Sequence, residues 1–317
     1  MSPFAALSAG ERALLRPAPL PERVEPMKAV LTDERFSDPG WVYERKLDGI
    51  RCVAIKAGRR VRLLSRNDLS LNGRFPEVVE ALGADPATDF VLDGEVVAFA
   101  GAQTSFARLQ QRDTPVFLYA FDLLHLAGQD TTALALRSRK ALLRRTLAFH
   151  GPVRLTPHRN RDGEALFADA CRKGWEGLIA KRADAPYVHG RSRDWLKFKC
   201  SAEQELVIGG YTAPRGSRTE LGALLLGHYE AGTLRYAGKV GTGFSRATLR
   251  DLAARLEPLR RERSPFVDEV RERGATWVQP RLVAQIGFSE WTRDGRLRHP
   301  RFVALREDKA AEEVVRE

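Results

Sequence analysis

Short runs of β-branched and aromatic residues, broken by turns, dominate this chain and constrain its fold most strongly. Six runs before position 183 show partial alternation of apolar and polar residues: WVYERK, RCVAIKAG, RVRLLSR, FVLDGEVVAF, VFLYAFDLL and GLIAKR. Helical patterns lie between them, at Phe75–Gly83, Leu136–Phe149 and Gly163–Lys173. Up to about Cys200 the sequence therefore predicts a mixed sheet structure with helices packed outside.

The pattern changes after Cys200. Short strands separated by glycine turns follow, in ELVIGGYTAP, ALLLGHYEAG, LRYAGKVGTGF and RLVAQIGFSEW, and a helical segment at Ser245–Arg263 interrupts them. Four or five short strands with one inserted helix are typical of a small barrel such as an OB-fold. With the boundary near Cys200–Glu203, we expect a lead-in at 1–21, a first domain at 22–202 and a barrel at 203–317.

Charge and composition narrow the class of protein. The chain has 317 residues and a net charge of +11, which favours a polyanionic partner. No apolar stretch approaches the roughly 20 residues that span a bilayer, and the N-terminus lacks the apolar core of a signal peptide. The three cysteines are far apart in the sequence, so we expect free buried thiols in a reducing cytosol. The six histidines show no metal-ligand spacing.

The segment ERKLDGIR, at 44–51, places a lysine between two acids. In a strand Glu44 and Lys46 share a face, Asp48 lies where the strand ends, and Gly49 permits a turn. This pattern alone fits a solvated turn as well as a nucleophile. A nucleophilic lysine must be neutral, which requires a pKa shift of about 3.4 units from about 10.4 at pH 7. Burial and neighbouring cations can supply this shift.

Other parts of the chain offer such cations. Arg51 lies close by, Lys181 ends EGLIAK, and Lys197 and Lys199 lie in DWLKFK with strand spacing and with Trp195 on the same face. Clustered cations would also hold a triphosphate. The alternative for LKFK is a solvated edge strand, where lysines discourage aggregation.

Acidic residues within apolar runs indicate a possible metal site. Asp93 and Glu95 share a face of VLDGEVVAF, and Glu176 begins EGLIAK. Glu176 and Lys181 are five residues apart, so both can reach one site only if Glu176 precedes the strand or a bulge intervenes. The chain has no Walker-type phosphate loop, and GKVGTGF is more typical of a tight hairpin.

In this order, the motifs resemble those of the covalent nucleotidyltransferase superfamily of ATP-dependent DNA ligases and mRNA capping enzymes. The matching segments are KLDG, SRN at 65–67, LDGE at 92–95, YAFDLL at 119–124, EGLIAK at 176–181, WLKFK at 195–199 and REDK at 306–309. REDK has the R-x-D-K form of DNA ligases. FSDPGWVYERKLDGIRC, NGRFPEV and RLRHPRFVALREDK resemble most closely the ligase component of bacterial ligase D enzymes.

The resemblance implies an ATP-grasp-like nucleotidyltransferase domain built on antiparallel sheets, followed by an OB-fold barrel. It implies that Lys46 attacks the α-phosphate of ATP to give lysyl-AMP, which passes to the 5′-phosphate of a nick before the 3′-hydroxyl displaces it. About 45 residues precede Lys46, which would leave no room for a helical DNA-binding domain or an NAD-ligase module. ATP is therefore the expected donor.

The resemblance also implies residue roles. Glu44 would read adenine beside Leu47, and Phe121 would stack on the base, although Tyr119 has the same strand parity. Glu95 would hold the ribose or support a metal, and Glu176 would hold Mg²⁺ or Mn²⁺. The phosphates would be steadied by four cations: Arg51, Lys181, Lys197 and Lys199. Ser65 and Arg66 would contact nicked or broken DNA. The leaving pyrophosphate would be oriented by three residues of the last motif: Arg306, Asp308 and Lys309.

Further implications are a bacterial, cytoplasmic and nucleoid-associated monomer. A Ku-like end-binding protein, or separate polymerase and phosphoesterase modules, would be its partners. Two other functions remain open on the sequence. One is an RNA ligase or GTP-using capping enzyme, against which REDK argues. The other is a nucleic-acid-binding module that has lost activity, against which the complete set of charged positions argues.

Overall fold

The computed structural model describes residues 2–87, 89–111, 114–200, 202–214, 220–288 and 290–316. Its contacts divide the chain into two compact units, one up to Cys200 and one after it. The helices of the first unit are α1 (Ala9–Leu14), α2 (Pro76–Ala84), α3 (Phe106–Leu109), α4 (Leu136–Thr146) and α5 (Gly163–Arg172). Its strands are β1 (Arg16–Pro17), β2 (Met27–Leu31), β3 (Trp41–Arg45), β4 (Ile50–Ala57), β5 (Arg60–Leu64), β6 (Asp89–Ala100), β7 (Gln103–Thr104), β8 (Val116–Leu126), β9 (Gln129–Asp130), β10 (Val153–Leu155), β11 (His158–Arg159), β12 (Gly177–Arg182) and β13 (Gly190–Lys199).

Two sheets form the first unit. One has the order β1-β9-β8-β6-β4-β5, with β7 paired to β6 and β10 paired to β8. The other has the order β11-β3-β12-β13-β2. Pairing is antiparallel except between β10 and β8 and between β13 and β2, among the residues described. All six predicted strands are confirmed, and β13 lies between two neighbours. The alternative of an edge strand for LKFK is therefore wrong.

The three helices predicted in this unit are confirmed with slightly different ends. α2 begins at Pro76, a residue that suits the first turn because its missing N–H would have no partner there. α4 ends at Thr146, three residues before the predicted end. The residues before position 22 also contain regular structure: Ser8 and Glu11 form a capping box on α1, and β1 pairs with β9.

The second sheet of this unit has two different faces. One carries Tyr43, Leu178, Ala180, Leu196 and Phe198, which form an apolar cluster with residues of α5. Because side chains alternate along a strand, Glu44, Lys181 and Trp195 project from the opposite face. Trp195 packs there with Phe121 of the first sheet. The two sheets therefore face each other across a layer that is partly apolar and partly charged.

The second unit contains one α-helix, α6 (Arg246–Leu256), within its described residues. Its strands are β14 (Ala202–Thr212), β15 (Leu224–Glu230), β16 (Thr233–Val240), β17 (Arg260–Arg261), β18 (Ala275–Val278), β19 (Val283–Phe288), β20 (Glu290–Trp291), β21 (Leu297–Arg298) and β22 (Arg301–Arg306). The main sheet has the order β16-β15-β14-β18-β17, and β19 pairs with both β14 and β22. This antiparallel arrangement with one inserted helix is the predicted OB-fold, with more strands than the sequence indicated.

Two predictions for the second unit need correction. The helix predicted to reach Arg263 ends at Leu256, and a single 3₁₀ turn follows at Glu257–Leu259, where Pro258 prevents continuation of the α-helix. GKVGTGF is not a tight hairpin but links β16 to α6. Gly243 in this link has φ of +91°, and a Cβ there would lie 2.3 Å from the carbonyl oxygen of Phe302.

The cysteine prediction is wrong for two of the three residues. Cys171, at the end of α5, forms a disulfide with Cys200, which directly follows β13. The packing of α5 against β12 and β13 places them side by side, although 29 positions separate them in sequence. Cys52 is free and buried, as predicted. Among the residues described, no helix has the length and apolar character needed to cross a membrane.

Candidate active site around Lys46

Lys46 lies at the point where β3 ends and the chain turns towards β4. Its backbone N–H donates to the carbonyl oxygen of Gly177 at 2.9 Å, which ties the turn to β12. Asp48 anchors the other side of the turn, because its Oδ2 accepts the backbone N–H of Phe106 at 3.1 Å. The turn passes so close to β6 that a Cβ on Gly49 would lie 2.2 Å from the carbonyl oxygen of Val96. Gly49 is thus required by the close approach of the turn to β6.

The Lys46 side chain forms an ion pair with Glu176 Oε1. Glu176 directly precedes β12, which is one of the two arrangements that the sequence required for Glu176 and Lys181 to reach one site. Burial works to lower the pKa of Lys46, but the charge of Glu176 outweighs it and the pKa is raised. The charge of Glu176 therefore favours the ammonium form of Lys46, which is opposite to the pKa shift that a nucleophilic lysine requires.

Glu44 lies between two ammonium groups. Its Oε2 is 2.7 Å from Nζ of Lys181, and its Oε1 pairs with Nζ of Lys140 on α4. The side chains of Glu44, Lys140 and Lys181 are only 2%, 5% and 2% exposed. Burial works to raise the pKa of Glu44, but the two ammonium groups outweigh it and lower the pKa. Glu44, which the resemblance assigns to adenine recognition, is therefore an ion-pair partner of two lysines in this structure.

Lys181 also lies over two aromatic rings. Its Nζ is 4.0 Å from the ring centroid of Phe121 and 4.0 Å from that of Trp195. Burial, joined by the like charge of Lys140, lowers the pKa of Lys181 to about 8. Tyr119 has different surroundings, since it packs against Phe99 with ring centroids 6.2 Å apart. A bulge in β8 between Ala120 and Asp122 breaks the strand parity and separates Tyr119 from Phe121.

Arg51 is held in a buried network. Its Nε and Nη2 donate to the two oxygens of Asp93 at 2.5 and 2.6 Å, and its guanidinium carbon lies 4.8 Å from the ring centroid of Phe121. The hydroxyl of Tyr187 donates to the same carboxylate at 2.6 Å. Glu95, partly exposed, is the direct neighbour of Arg51 across the strands. Burial opposes the charge on Arg51, but Asp93 outweighs it and raises the pKa of the guanidinium group.

Lys197 and Lys199 follow Trp195 along β13. Both are partly exposed, and they alternate with the buried residues Leu196 and Phe198. They therefore project from the same face as Trp195, as predicted, and towards the side that carries Glu44 and Lys181. The structure thus brings Lys46, Glu44, Arg51, Phe121 and Trp195 together with the predicted cations of β12 and β13.

Glu176 has a carboxylate oxygen without a hydrogen-bond partner. Oε2 of Glu176 is buried and makes no hydrogen bond within the described chain. A hard divalent cation would satisfy it, and such cations bind through one or two carboxylates together with substrate phosphates. No group of three or more His, Cys, Asp or Glu side chains is placed to hold a metal ion in the described part of the chain. The donor set therefore fits Mg²⁺ or Mn²⁺ held partly by a nucleotide.

The loop after β5 contains the two residues predicted to contact DNA. Oγ of Ser65 accepts the backbone N–H groups of Asn67 and Leu69 at 3.3 and 3.1 Å. The hydroxyl is therefore engaged in shaping the loop, which presents the partly exposed Arg66. Leu47, the other neighbour of the lysine, is also partly exposed.

The REDK segment begins at the last residue of β22 in the second unit. Arg306 and Asp308 form a two-pronged pair, with Nε and Nη2 each 2.9 Å from a carboxylate oxygen. Nζ of Lys309 lies 3.1 Å from Oε2 of Glu205 on β14. These contacts give the segment a defined shape within its own unit.

Sequence reasoning did not single out Lys140, Arg139 or Tyr187. Arg139 is fully buried and pairs with Asp122 at 2.7 and 2.9 Å. A signal was present, because Arg139 and Lys140 lie three and four positions after the buried Leu136 and so fall on the apolar stripe of α4. Charged residues at core positions of a helix indicate buried partners elsewhere.

The fold and the charged layer around Lys46 are those of a nucleotidyltransferase joined to an OB-fold domain. Two family models match the chain: "ATP dependent DNA ligase domain" over residues 20–199, and "ATP dependent DNA ligase C terminal region" over residues 217–309. The chain belongs to the ATP-dependent DNA ligase family, and thus to a family of enzymes that use ATP.

Relatives and solved structures agree with this assignment. The chain is 39% identical to the multifunctional non-homologous end joining protein LigD of Pseudomonas aeruginosa, over 94% of this chain and 37% of that protein. It is 41% identical to the corresponding DNA repair protein LigD of Mycobacterium tuberculosis, over 87% of this chain and 37% of that protein. A structure of mycobacterial DNA ligase D complexed with ATP and MES matches with a TM-score of 0.69 and 35% identity, covering 93% of this chain and 98% of that one. The chain therefore spans a little over a third of these multifunctional relatives.

Proposed function

We propose that this protein is an ATP-dependent DNA ligase that seals 5′-phosphate and 3′-hydroxyl ends through a lysyl-AMP intermediate. In the first step Nζ of Lys46 forms a bond to the α-phosphorus of ATP, and the bond to pyrophosphate breaks. In the second step AMP passes to the 5′-phosphate of a nick. In the third step the 3′-hydroxyl attacks that phosphate, the phosphodiester bond forms and AMP leaves.

Lys46 must lose a proton before it attacks, because the resting ammonium group has no lone pair. The Glu176 carboxylate is the nearest base and holds the ammonium group in place until the nucleotide arrives. Negative charge develops on the phosphates during attack, and Arg51, Lys197 and Lys199 would stabilise it. Lys181 joins them when it leaves Glu44.

A divalent cation supplies charge neutralisation at the phosphates when it is bound. Glu176 would hold it through the oxygen that has no partner in the resting site, and Glu95 would support it. Phe121 stacks on adenine, and Glu44 reads its amino group. Arg66 contacts the DNA phosphate at the nick, and Ser65 holds the loop in shape. Arg306, Asp308 and Lys309 would orient the departing pyrophosphate.

The observation that supports this proposal best is the ion pair between Lys46, directly after β3, and Glu176. It occurs in a chain that matches the ligase family across both units. The test is transfer of label from [α-³²P]ATP to the protein, followed by sealing of nicked duplex DNA. The wild-type protein should take label from ATP and not from GTP. Lys46→Ala should take none and seal no nicks.

Lys46→Arg is the matched control. It keeps the positive charge beside Glu176, but a guanidinium group stays protonated and cannot act as the nucleophile. It should fold like the wild type and remain unlabelled. Preferential labelling from GTP, or nick sealing by Lys46→Ala, would overturn the proposal.

We further propose that the protein acts in the repair of DNA breaks by end joining, as the names of the LigD relatives state for those proteins. The partners would be a Ku-like end-binding protein and polymerase and phosphoesterase modules. The protein would work as a monomer in the bacterial cytoplasm, at the nucleoid. Its net charge of +11 supports binding to the DNA backbone.

A further inference from the structure

Lys140 is a buried cation with no role in the proposed reaction. Its ammonium group pairs with Oε1 of Glu44, while Lys181 pairs with Oε2 of the same carboxylate. Lys140 comes from α4, whereas Glu44 and Lys181 come from the neighbouring strands β3 and β12. The carboxylate thus has one partner from a helix outside the sheet and one partner from its own sheet.

We infer that Lys140 is a positioning residue: it holds the Glu44 carboxylate ionised and in place, so that the site selects adenine over guanine. The inference rests on the proposed assignment of Glu44 as the residue that reads the base. Lys140 itself touches neither the phosphates nor the reacting atoms.

The selection follows from the edges of the two bases. Adenine presents an amino group, which donates hydrogen bonds, where guanine presents a carbonyl oxygen, which accepts them. An ionised carboxylate only accepts hydrogen bonds, so it attracts the first edge and repels the second. A protonated carboxyl group could donate to the guanine oxygen, and the distinction would weaken.

Lys181 cannot keep Glu44 ionised once a nucleotide has entered. Its ammonium group lies 4.0 Å from the centre of the Phe121 ring and 2.7 Å from Oε2 of Glu44. It therefore lies against both the ring proposed to stack on the base and the oxygen proposed to read it. A base that takes this place must displace Lys181, and Lys140 then remains as the sole counter-charge from this pair.

The environment of Lys140 is suited to a fixed counter-charge. The preceding residue, Arg139, is fully buried, pairs with Asp122 of β8 through two hydrogen bonds and also donates to the carbonyl oxygens of Leu134 and Ala185. These bonds anchor this turn of α4 to the first sheet. Lys140 therefore stays in place while Lys181 moves, and Glu44 keeps its charge because an unpaired buried carboxylate is costly.

The test compares three nucleotides with Lys140→Met and Lys140→Arg. Self-adenylylation kinetics would be measured with ATP, with GTP and with purine riboside triphosphate, which lacks the amino group. For Lys140→Met, KM for ATP should rise about tenfold, the usual value of one hydrogen bond to a charged group. The KM for purine riboside triphosphate should change less than twofold, and kcat with ATP should be nearly unchanged. Use of GTP should increase relative to ATP.

Lys140→Arg keeps the charge and should restore the preference for ATP over purine riboside triphosphate. Arg145→Met, on the exposed face of the same helix, is the matched control and should behave like the wild type. Thermal unfolding would confirm that each variant is folded, and Lys140→Gln provides a second, polar replacement should Met fail to fold.

Two results would contradict the inference. Equal losses with ATP and purine riboside triphosphate in Lys140→Met would show a general structural role and would overturn this inference alone. A wild-type protein that takes no label from ATP would overturn the proposed function and this inference with it.

Discussion

At the scale of single residues, the site keeps a buried ammonium group at a cost in stability. Burial and the like charge of Lys140 lower the pKa of Lys181 to about 8, whereas an unfolded lysine titrates near 10.4. Below pH 8 both states bind the proton, so the folded state carries the full cost of the buried charge. Between pH values of about 8 and about 10.4 the unfolded state binds more protons than the folded state, so the stability of the wild type rises with pH.

We therefore predict that Lys181→Met is more stable than the wild type at pH 7, by up to about 3 kcal/mol. Lys140 continues to neutralise Glu44 in the variant. The difference should shrink as the pH rises from 8 towards 10, because the wild-type lysine loses its proton. Urea unfolding at pH 7 and pH 9.5 measures this, with Lys173→Met, at the exposed position directly after α5, as the control. A wild type that is the more stable protein at pH 7 would contradict the prediction.

The same scale shows what the sequence could and could not predict about the site. Glu44, Lys46 and Glu176 were found because each lies in a motif of characteristic order. Their pairing could not be found, since it depends on how β3 and β12 are placed beside each other. Lys140 was missed because motif spacing says nothing about a helix on another part of the chain. The separation of Tyr119 from Phe121 depends on one bulged residue, which strand alternation does not reveal.

At the scale of secondary-structure elements, alternation and turn residues predicted most strands and helices, and the ends were less accurate. The disulfide was missed for a different reason. Cys171 and Cys200 meet because α5 packs against the strand that ends just before Cys200, whereas their wide spacing in the sequence indicated free thiols. The loop that the disulfide closes contains Glu176, Lys181, Lys197 and Lys199. The disulfide therefore links the stability of α5 and β13 to that of the site.

Removal of this disulfide should destabilise the protein. Closing a loop of 29 positions contributes about 3–4 kcal/mol in the chain-entropy description. We expect Cys171→Ser to lower the free energy of unfolding by about 2–4 kcal/mol under oxidising conditions, measured by urea denaturation. A phosphine reductant should lower the wild-type value to that of the variant, whereas Cys52→Ala should respond to the reductant as the wild type does. If the reductant does not change the free energy of unfolding of the wild type, the disulfide does not form in solution.

The segment after β22 allows a prediction about the order of the reaction steps. Arg306 is fixed by two hydrogen bonds to Asp308, and its proposed role is to orient the departing pyrophosphate. Arg306→Ala should slow self-adenylylation by about tenfold to a hundredfold, the usual effect of losing one charge-stabilising donor, and should affect sealing of pre-adenylylated nicks much less. The two reactions can be followed separately by label transfer and by gel analysis of the DNA. Equal losses in both would contradict a role with pyrophosphate.

At the scale of the whole molecule, net charge bears on the proposed binding to DNA. A net charge of +11 predicts affinity for duplex DNA that falls steeply with salt, because each neutralised phosphate releases condensed counterions. A plot of log affinity against log salt concentration should be linear, with a slope of about −0.9 per phosphate contacted. Fluorescence anisotropy with a nicked duplex between about 50 and 200 mM salt measures this slope, because the loss of DNA affinity is large in this range.

Arg66→Ala should make this slope less steep by about one unit, because the proposed contact of Arg66 is to a phosphate rather than to a base. The affinities for nicks of different sequence should fall by the same factor, since a phosphate contact carries no sequence information. Arg271→Ala, at an exposed position on the second unit, gives a comparison with the same change in net charge. If Arg66→Ala and Arg271→Ala reduce the slope equally, general charge rather than a specific contact at the nick explains the binding. If only Arg66→Ala does so, the loop after β5 is part of the DNA-binding surface.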